Sequence, residues 1–222
     1  MTQIRGSFEK CVRGVDLLLE RKLFIVLKLP LMTLNVHELE AMKNFARSRG
    51  ARYKVYTEIQ PKVDGSKEPL AYRLSPEQEF EVWREGGGER ILQETRSSSP
   101  EAAPQEYEKE QCGSTSLFDC ACGKSSAAVT PHGKMNLCLS TYAPLYDLTT
   151  GTVAEGWEKL VGLVASAKPG PEYECDECHL YKRCNRGTRN SWTELGTFDG
   201  PCIPHFREAA QKKEDFLTAG LK

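Results

Sequence analysis

The chemistry of this chain is concentrated in its cysteines. Of nine, Cys11 stands alone in the first half and the other eight fall after residue 110. Cys175-Asp-Glu-Cys178 is a C-x2-C pair, which lets two thiolates on one tight turn reach a common metal centre, and Cys184 follows after five residues. Cys202 comes after the stretch 185–201, in which Gly187, Gly196, Gly200 and Pro201 predict flexible chain able to close back on the other three. Four thiolates suit either tetrahedral zinc or an iron–sulfur cubane, and spacing alone does not choose between them. A second set consists of Cys112, Cys120, Cys122 and Cys138. The C-x-C pair Cys120 and Cys122 allows both to ligate, or one to pack as a small apolar side chain. Clustered thiols in a reducing compartment are more often metal ligands than disulfides.

The elements that must position these thiols are legible in part. Phe8, Cys11, Val12, Val15, Leu18 and Leu19 recur at helical spacing, predicting an amphipathic helix with Cys11 in the core. The apolar run 23–31 predicts a strand buried on both faces. Asn35 then caps a second helix bearing Leu39, Met42, Phe45 and Ala46 and ending near Gly50, before a second strand over 52–59. Ser75-Pro76-Glu77-Gln78 provides an N-cap, a proline at the first helical position and a capping-box glutamine for a third helix. The polar stretch 89–111 has almost nothing to bury and is predicted to be a linker, with Cys112 at its edge. A hairpin is predicted over 127–139 around Pro131-His132-Gly133-Lys134, which would bring Cys138 near Cys120 or Cys122. Val153, Trp157, Leu160, Val161 and Val164 predict a helix over 152–167, and the remainder is predicted to be loop-rich and cysteine-bearing. His132 and His179 fall in loops and are expected to be exposed.

Composition narrows the rest. Thirty basic residues against thirty-one acidic ones give a net charge of −1, too balanced a field to attract nucleic acid or an anionic membrane. The run 23–31 is broken by Lys28 and Pro30 and falls short of the roughly twenty apolar residues a bilayer-spanning helix needs. The first residues lack the basic and apolar regions of a secretory signal, so the expected compartment is the cytoplasm.

Cys120 (or Cys122), Gly133 and Cys138, followed by Cys175, Cys178, Cys184 and Cys202, trace a pattern of C-x(9–15)-G-x4-C, then C-x2-C-x5-C-x3-C and a distant cysteine. Cys120-Ala-Cys-Gly123-Lys, Val129-Thr-Pro-His-Gly133-Lys and Glu194-Leu-Gly196 surround these landmarks. In these features residues 112–222 resemble a SPASM domain, the auxiliary-cluster extension of many radical S-adenosylmethionine enzymes. The resemblance implies that Cys175, Cys178, Cys184 and Cys202 bind a second auxiliary [4Fe–4S] cluster. It assigns Cys120, Cys138, Cys122 and Cys112 to a first one. The sequence departs from the pattern once, with Thr188 where a further first-cluster cysteine is expected. Three states follow for that site: rescue by Cys112 and Cys122, an iron with an open position, or an empty site.

Residues 1–88 resemble the later part of the (β/α) barrel that precedes such a domain, through Gly6-Ser-Phe-Glu, Lys28, Asn35, Ala46 with Gly50, and Asp64-Gly65-Ser66 before Arg73-Leu-Ser75. The implied class is α/β, a partial barrel followed by a small loop-rich, cysteine-rich α+β domain. The C-x3-C-x2-C loop on which radical enzymes hold the S-adenosylmethionine-cleaving cluster has no counterpart, and Cys11 is solitary. The resemblance therefore implies auxiliary electron transfer or substrate engagement in radical modification of a peptide or protein. S-adenosylmethionine would act only in a complete assembly, with a partner chain supplying the missing half-barrel. Two other readings stand beside it, a zinc-stabilised interaction module without a redox role and a nonfunctional truncated remnant.

Overall fold

The computed structural model describes residues 4–62, 64–86, 117–118, 120–141 and 145–219. The predicted linker 89–111 and the candidate ligand Cys112 lie outside the described residues. The chain is a mixed α/β protein of two compact units, one comprising Met1–Ile59 with Tyr72–Leu74 and the other Gln60–Ala71 with Ser75–Lys222.

In the first unit, helix α1 (Ser7–Glu20) is followed by strand β1 (Val26–Pro30), a 3-10 turn at Val36–Glu38, helix α2 (Leu39–Ser48) and strand β2 (Arg52–Tyr56). β1 and β2 pair in parallel from Val26↔Arg52 to Pro30↔Tyr56. Parallel neighbours need a crossover, and α2 supplies it. α2 sets Leu39 and Ala46 inward, and these residues are buried together with Leu29, Leu31 and Leu74. Asn35 stands before the 3-10 turn without capping it by its side chain. Its amide instead ties the end of β1, accepting from the Met32 N–H at 2.8 Å and donating to the Pro30 carbonyl at 3.1 Å.

Two expectations are corrected here. The strand in 23–31 is not buried on both faces, since Leu29 is 7% exposed while Val26 is 44% and Phe24 70%. A two-stranded sheet with α2 against it covers one face, so the side chains alternate. Cys11 is exposed rather than in a core, because α1 has no buried residue. Its apolar stripe is only half-buried at Val12, Val15 and Leu19, and the Phe8 ring lies 6.1 Å from that of Phe45.

From Ser75 onward the second unit holds helix α3 (Pro76–Glu85) and strands β3 (Ala128–Val129), β4 (Lys134–Asn136) and β5 (Tyr146–Asp147). Helices α4 (Val153–Ser166), α5 (Thr188–Leu195) and α6 (Pro204–Ala219) follow. The capping box at α3 is complete, with Ser75 accepting from the Gln78 N–H and Gln78 accepting from the Ser75 N–H. Replacing Ser75 by alanine removes one of these bonds and is expected to lower unfolding stability by about 1 kcal/mol, measurable by urea denaturation. A second capping box, Thr152 with Glu155, starts α4.

β3 and β4 form the predicted hairpin, whose turn places Gly133 at φ 70°, a conformation that favours glycine. β5 adds to β4 antiparallel, and the Lys134 ammonium pairs with the Asp147 carboxylate across them. Leu117, Phe118, Met135, Leu137, Leu160 and Val164 form the core between this sheet and α4, with Cys120, Cys122 and Trp157 packed on its margin. α3 lies against α6, where the rings of Phe80, Trp83 and Phe216 meet and Glu79 bonds His205 at 3.1 Å. The loop-rich stretch beyond 167 also holds two helices outside the predicted elements, α5 and α6. No helix among the described residues is long and apolar enough to cross a membrane.

Candidate metal centre

The first thiol group is built by the hairpin and by the turn that precedes it. Gly123, at φ 67°, lets the chain after Cys122 fold back tightly, its amide donating to the Ser126 carbonyl at 2.9 Å. That turn rests on α4 so closely that a Cβ at Gly123 would lie 2.5 Å from the Val164 side chain. Cys138 leaves the end of β4, where its amide donates to the Thr141 hydroxyl at 3.2 Å and its sulfur stands 3.4 Å from the same oxygen. The hairpin thus brings Cys138 beside Cys122, and Cys122 also neighbours Cys120. The buried Asn136 donates to the Thr141 carbonyl at 2.7 Å, while its own Oδ1 has no hydrogen-bond partner among the described residues.

Contact among the thiols separates their acidities. A hydrogen bond from Cys122, with further bonds at Thr141 and Ser140, lowers the Cys138 thiol to about 5. The Cys122 thiol is pushed up, first by Cys120, then by Cys138 and by burial. In metal-free protein, Cys138 is therefore expected to carry the thiolate at neutral pH, with iodoacetamide labelling reaching half its maximum rate near pH 5 and peptide mass mapping locating the label. Labelling that begins only near the ordinary thiol range would contradict this arrangement.

The second group surrounds a buried arginine. Cys175 and Cys178 share a turn in which the Cys178 N–H donates to the Cys175 carbonyl at 3.3 Å. A 3-10 turn at Tyr181–Arg183, anchored by the buried Leu180, then leads to Cys184. The Cys184 sulfur accepts from the Arg186 N–H at 3.4 Å, and its thiol lies 3.9 Å from the Phe206 carbonyl. Cys202 comes from the segment joining α5 to α6; burial raises its pKa, with Arg186 opposing and Cys184 and Cys175 adding to the rise. Cys175, Cys184 and Cys202 thus sense one another electrostatically around Arg186.

Arg186 is only 7% exposed, and no carboxylate among the described residues forms an ion pair with it. Nη1 donates to the Cys175 sulfur at 2.8 Å, and Nη2 donates to the Ser191 hydroxyl at 3.0 Å and to the Gly200 carbonyl. The buried Nε has no hydrogen-bond partner among the described residues. Its guanidinium also stands 5.7 Å from the centre of the Tyr173 ring, and burial together with Cys175 raises the pKa of that phenol. An isolated buried ion costs several kcal/mol, so an arginine placed here calls for anionic sulfur nearby.

Among the described residues, no group of three or more His, Cys, Asp or Glu side chains is arranged to hold a metal ion. The thiols meet as neighbours, without closing around one point. A cubane makes a different demand, since each of its four thiolates binds a separate iron. Thiol donors beside an arginine with no carboxylate ion pair among the described residues are the chemistry such a thiolate-ligated group would use. Of the sequence candidates, Cys120, Cys122 and Cys138 are brought together, as are Cys175, Cys184 and Cys202, with Cys178 in the Cys175 turn. His132 and His179 are exposed, as expected. Sequence reasoning missed Arg186, whose neighbours Lys182, Arg183 and Arg189 make it look like one more solvated basic residue.

Thr188, the first residue of α5, is buried and donates from its hydroxyl to the Leu117 carbonyl at 2.7 Å. It thus faces the segment leading into Cys120. No protein-family model matches the sequence, and no curated protein matches it.

Proposed function

We propose that this chain carries one or two auxiliary [4Fe–4S] clusters and acts as the C-terminal portion of a radical S-adenosylmethionine protein of the SPASM type. Cys175, Cys178, Cys184 and Cys202 would hold the second cluster, and Cys120, Cys122 and Cys138, with Cys112, the first. The observation that carries this reading is the buried Arg186 guanidinium, set against Cys175 with no carboxylate ion pair among the described residues. Thiolates joined to iron and sulfide would balance that cation as an anionic unit.

The clusters supply one-electron transfer when bound. Around them, Arg186 holds charge against one sulfur, the hairpin presents Cys138 to Cys122, and α4 with the Leu117–Phe118 segment keeps apolar surface beneath the Cys120–Gly123 turn. The parallel β1–α2–β2 arrangement suits a fragment of a (β/α) barrel. A sheet of only two strands among the described residues, with exposed Phe8, Phe24 and Val26, suits a partner that completes such a barrel and carries the C-x3-C-x2-C loop. The substrate would be a peptide or protein modified by the complete assembly.

Anaerobic purification of the full chain tests this. The expected product is brown, with broad visible absorbance that bleaches on reduction, and it recovers a chain bearing a C-x3-C-x2-C loop from extracts of its own cells. A colourless protein loaded with zinc overturns the cluster reading in favour of a zinc-stabilised module.

A further inference from the structure

A charged arginine on a ligand sulfur does more than balance charge. The potential of an iron–sulfur centre depends on its net charge, on hydrogen bonds to its sulfurs and on its exposure to water. Arg186 bears on all three. It is a cation that does not deprotonate in proteins, its Nη1 donates to the Cys175 sulfur at 2.8 Å, and the residue is 7% exposed. Its orientation is fixed from the far side by Ser191, itself 1% exposed, and by the Gly200 carbonyl. Ser191 lies on α5 and Gly200 just beyond it, so that helix locks the fork onto the cysteine turn. Below it, Tyr173 offers the face of its ring.

We propose that Arg186 is a positioning residue that raises the reduction potential of the second cluster, by holding a permanent positive charge and an N–H donor against the Cys175 sulfur. Reduction adds one electron and one negative charge to the cluster. The fixed guanidinium stabilises that added charge, and because Arg186 neither gains nor loses a proton, the electron arrives without one. The side chain acts on one ligand, the Cys175 sulfur. This inference rests on the cluster reading proposed above.

The test is an anaerobic redox titration of the full chain with dithionite as electron donor, followed by electron paramagnetic resonance, with iron and sulfide measured on each sample. R186Q, which keeps a hydrogen-bonding amide but removes the charge, is expected to retain its iron and to disfavour reduction at least tenfold, a fall of about 59 mV for one electron. R186K, which keeps charge but loses the fork, is expected to fall by less. An R186Q protein with full iron and an unchanged or higher potential overturns this inference and leaves the cluster reading standing. Wild-type protein without iron overturns both. Should R186Q lose its iron, S191A decides the matter: loosening the Nη2 anchor is expected to lower the potential in the same direction by a smaller amount, and no change or a rise overturns the proposal.

Discussion

Replacing Cys178 by alanine is expected to remove the iron and sulfide of the second cluster, whereas Cys138→Ala leaves them in place. Cys178 is the second thiol of the Cys175–Cys178 turn, whose backbone is closed by the Cys178 N–H and by the Tyr181 N–H donating to the Cys178 carbonyl at 3.0 Å. Those bonds involve only the main chain, so the turn survives the substitution and the loss is one of ligation. Folding should still respond. A bound thiolate centre draws its affinity from the folded arrangement of its ligands, so removing it also withdraws stability. Cys178→Ala is thus expected to show a lower melting temperature than wild type under anaerobic conditions, with the buried Arg186 left facing unligated thiols. Iron and sulfide assays on both variants, paired with thermal melts, measure the effect. Equal iron in Cys178→Ala and wild type would show that this turn is not a ligand.

Thr188→Cys is expected to have the opposite effect and to fill the first site, so that the chain carries both clusters. The wild-type hydroxyl is buried and points to the Leu117 carbonyl at 2.7 Å, placing position 188 beside the segment that runs into Cys120. A thiol there would join Cys120, Cys122 and Cys138, completing a set of four without calling on Cys112. Its position as the first residue of α5 favours the thiolate, because the helix N-terminus stabilises negative charge. The lost hydrogen bond costs about 1 kcal/mol, small beside the binding of a cluster. Anaerobic reconstitution should give iron and sulfide rising from one cluster to two, with a second paramagnetic signal on reduction. Unchanged iron would mean that position 188 does not serve the first site, or that wild-type protein already fills it.

Much of the local structure could be read directly, and the failures have physical reasons. The Ser75-Pro76-Glu77-Gln78 start of α3 is a short-range device in which each residue satisfies a main-chain group within one turn, so sequence suffices. The hairpin was legible for the same reason, through Gly133. β5, two residues long, depends on pairing with β4 and leaves almost no periodic trace. Helix α5 was hidden by its own punctuation: Gly187 and Gly196, taken as flexible loop, are the cap positions on either side of it, the latter at φ 78°. Helix α6 carried a clear signal in Phe206, Ala209, Ala210 and Lys213, spaced to bury one face, after Pro204 at its first position. Cys11 and the 23–31 strand were misjudged because apolar periodicity reports a face that can be buried, and burial also requires an element to cover it.

The cysteines announced themselves by spacing, whereas their surroundings did not. Arg186 becomes distinctive only when α5 and the Cys175 turn close over it and bury its guanidinium against a sulfur. Thr188 read as a missing ligand, and the fold adds where its side chain goes.

The most direct measurement is the iron, zinc and acid-labile sulfide content of the full chain purified without oxygen. Iron and sulfide in equal amounts, at four of each per cluster, are the expected result. Zinc bound in their place, or no metal after anaerobic reconstitution, would contradict the account.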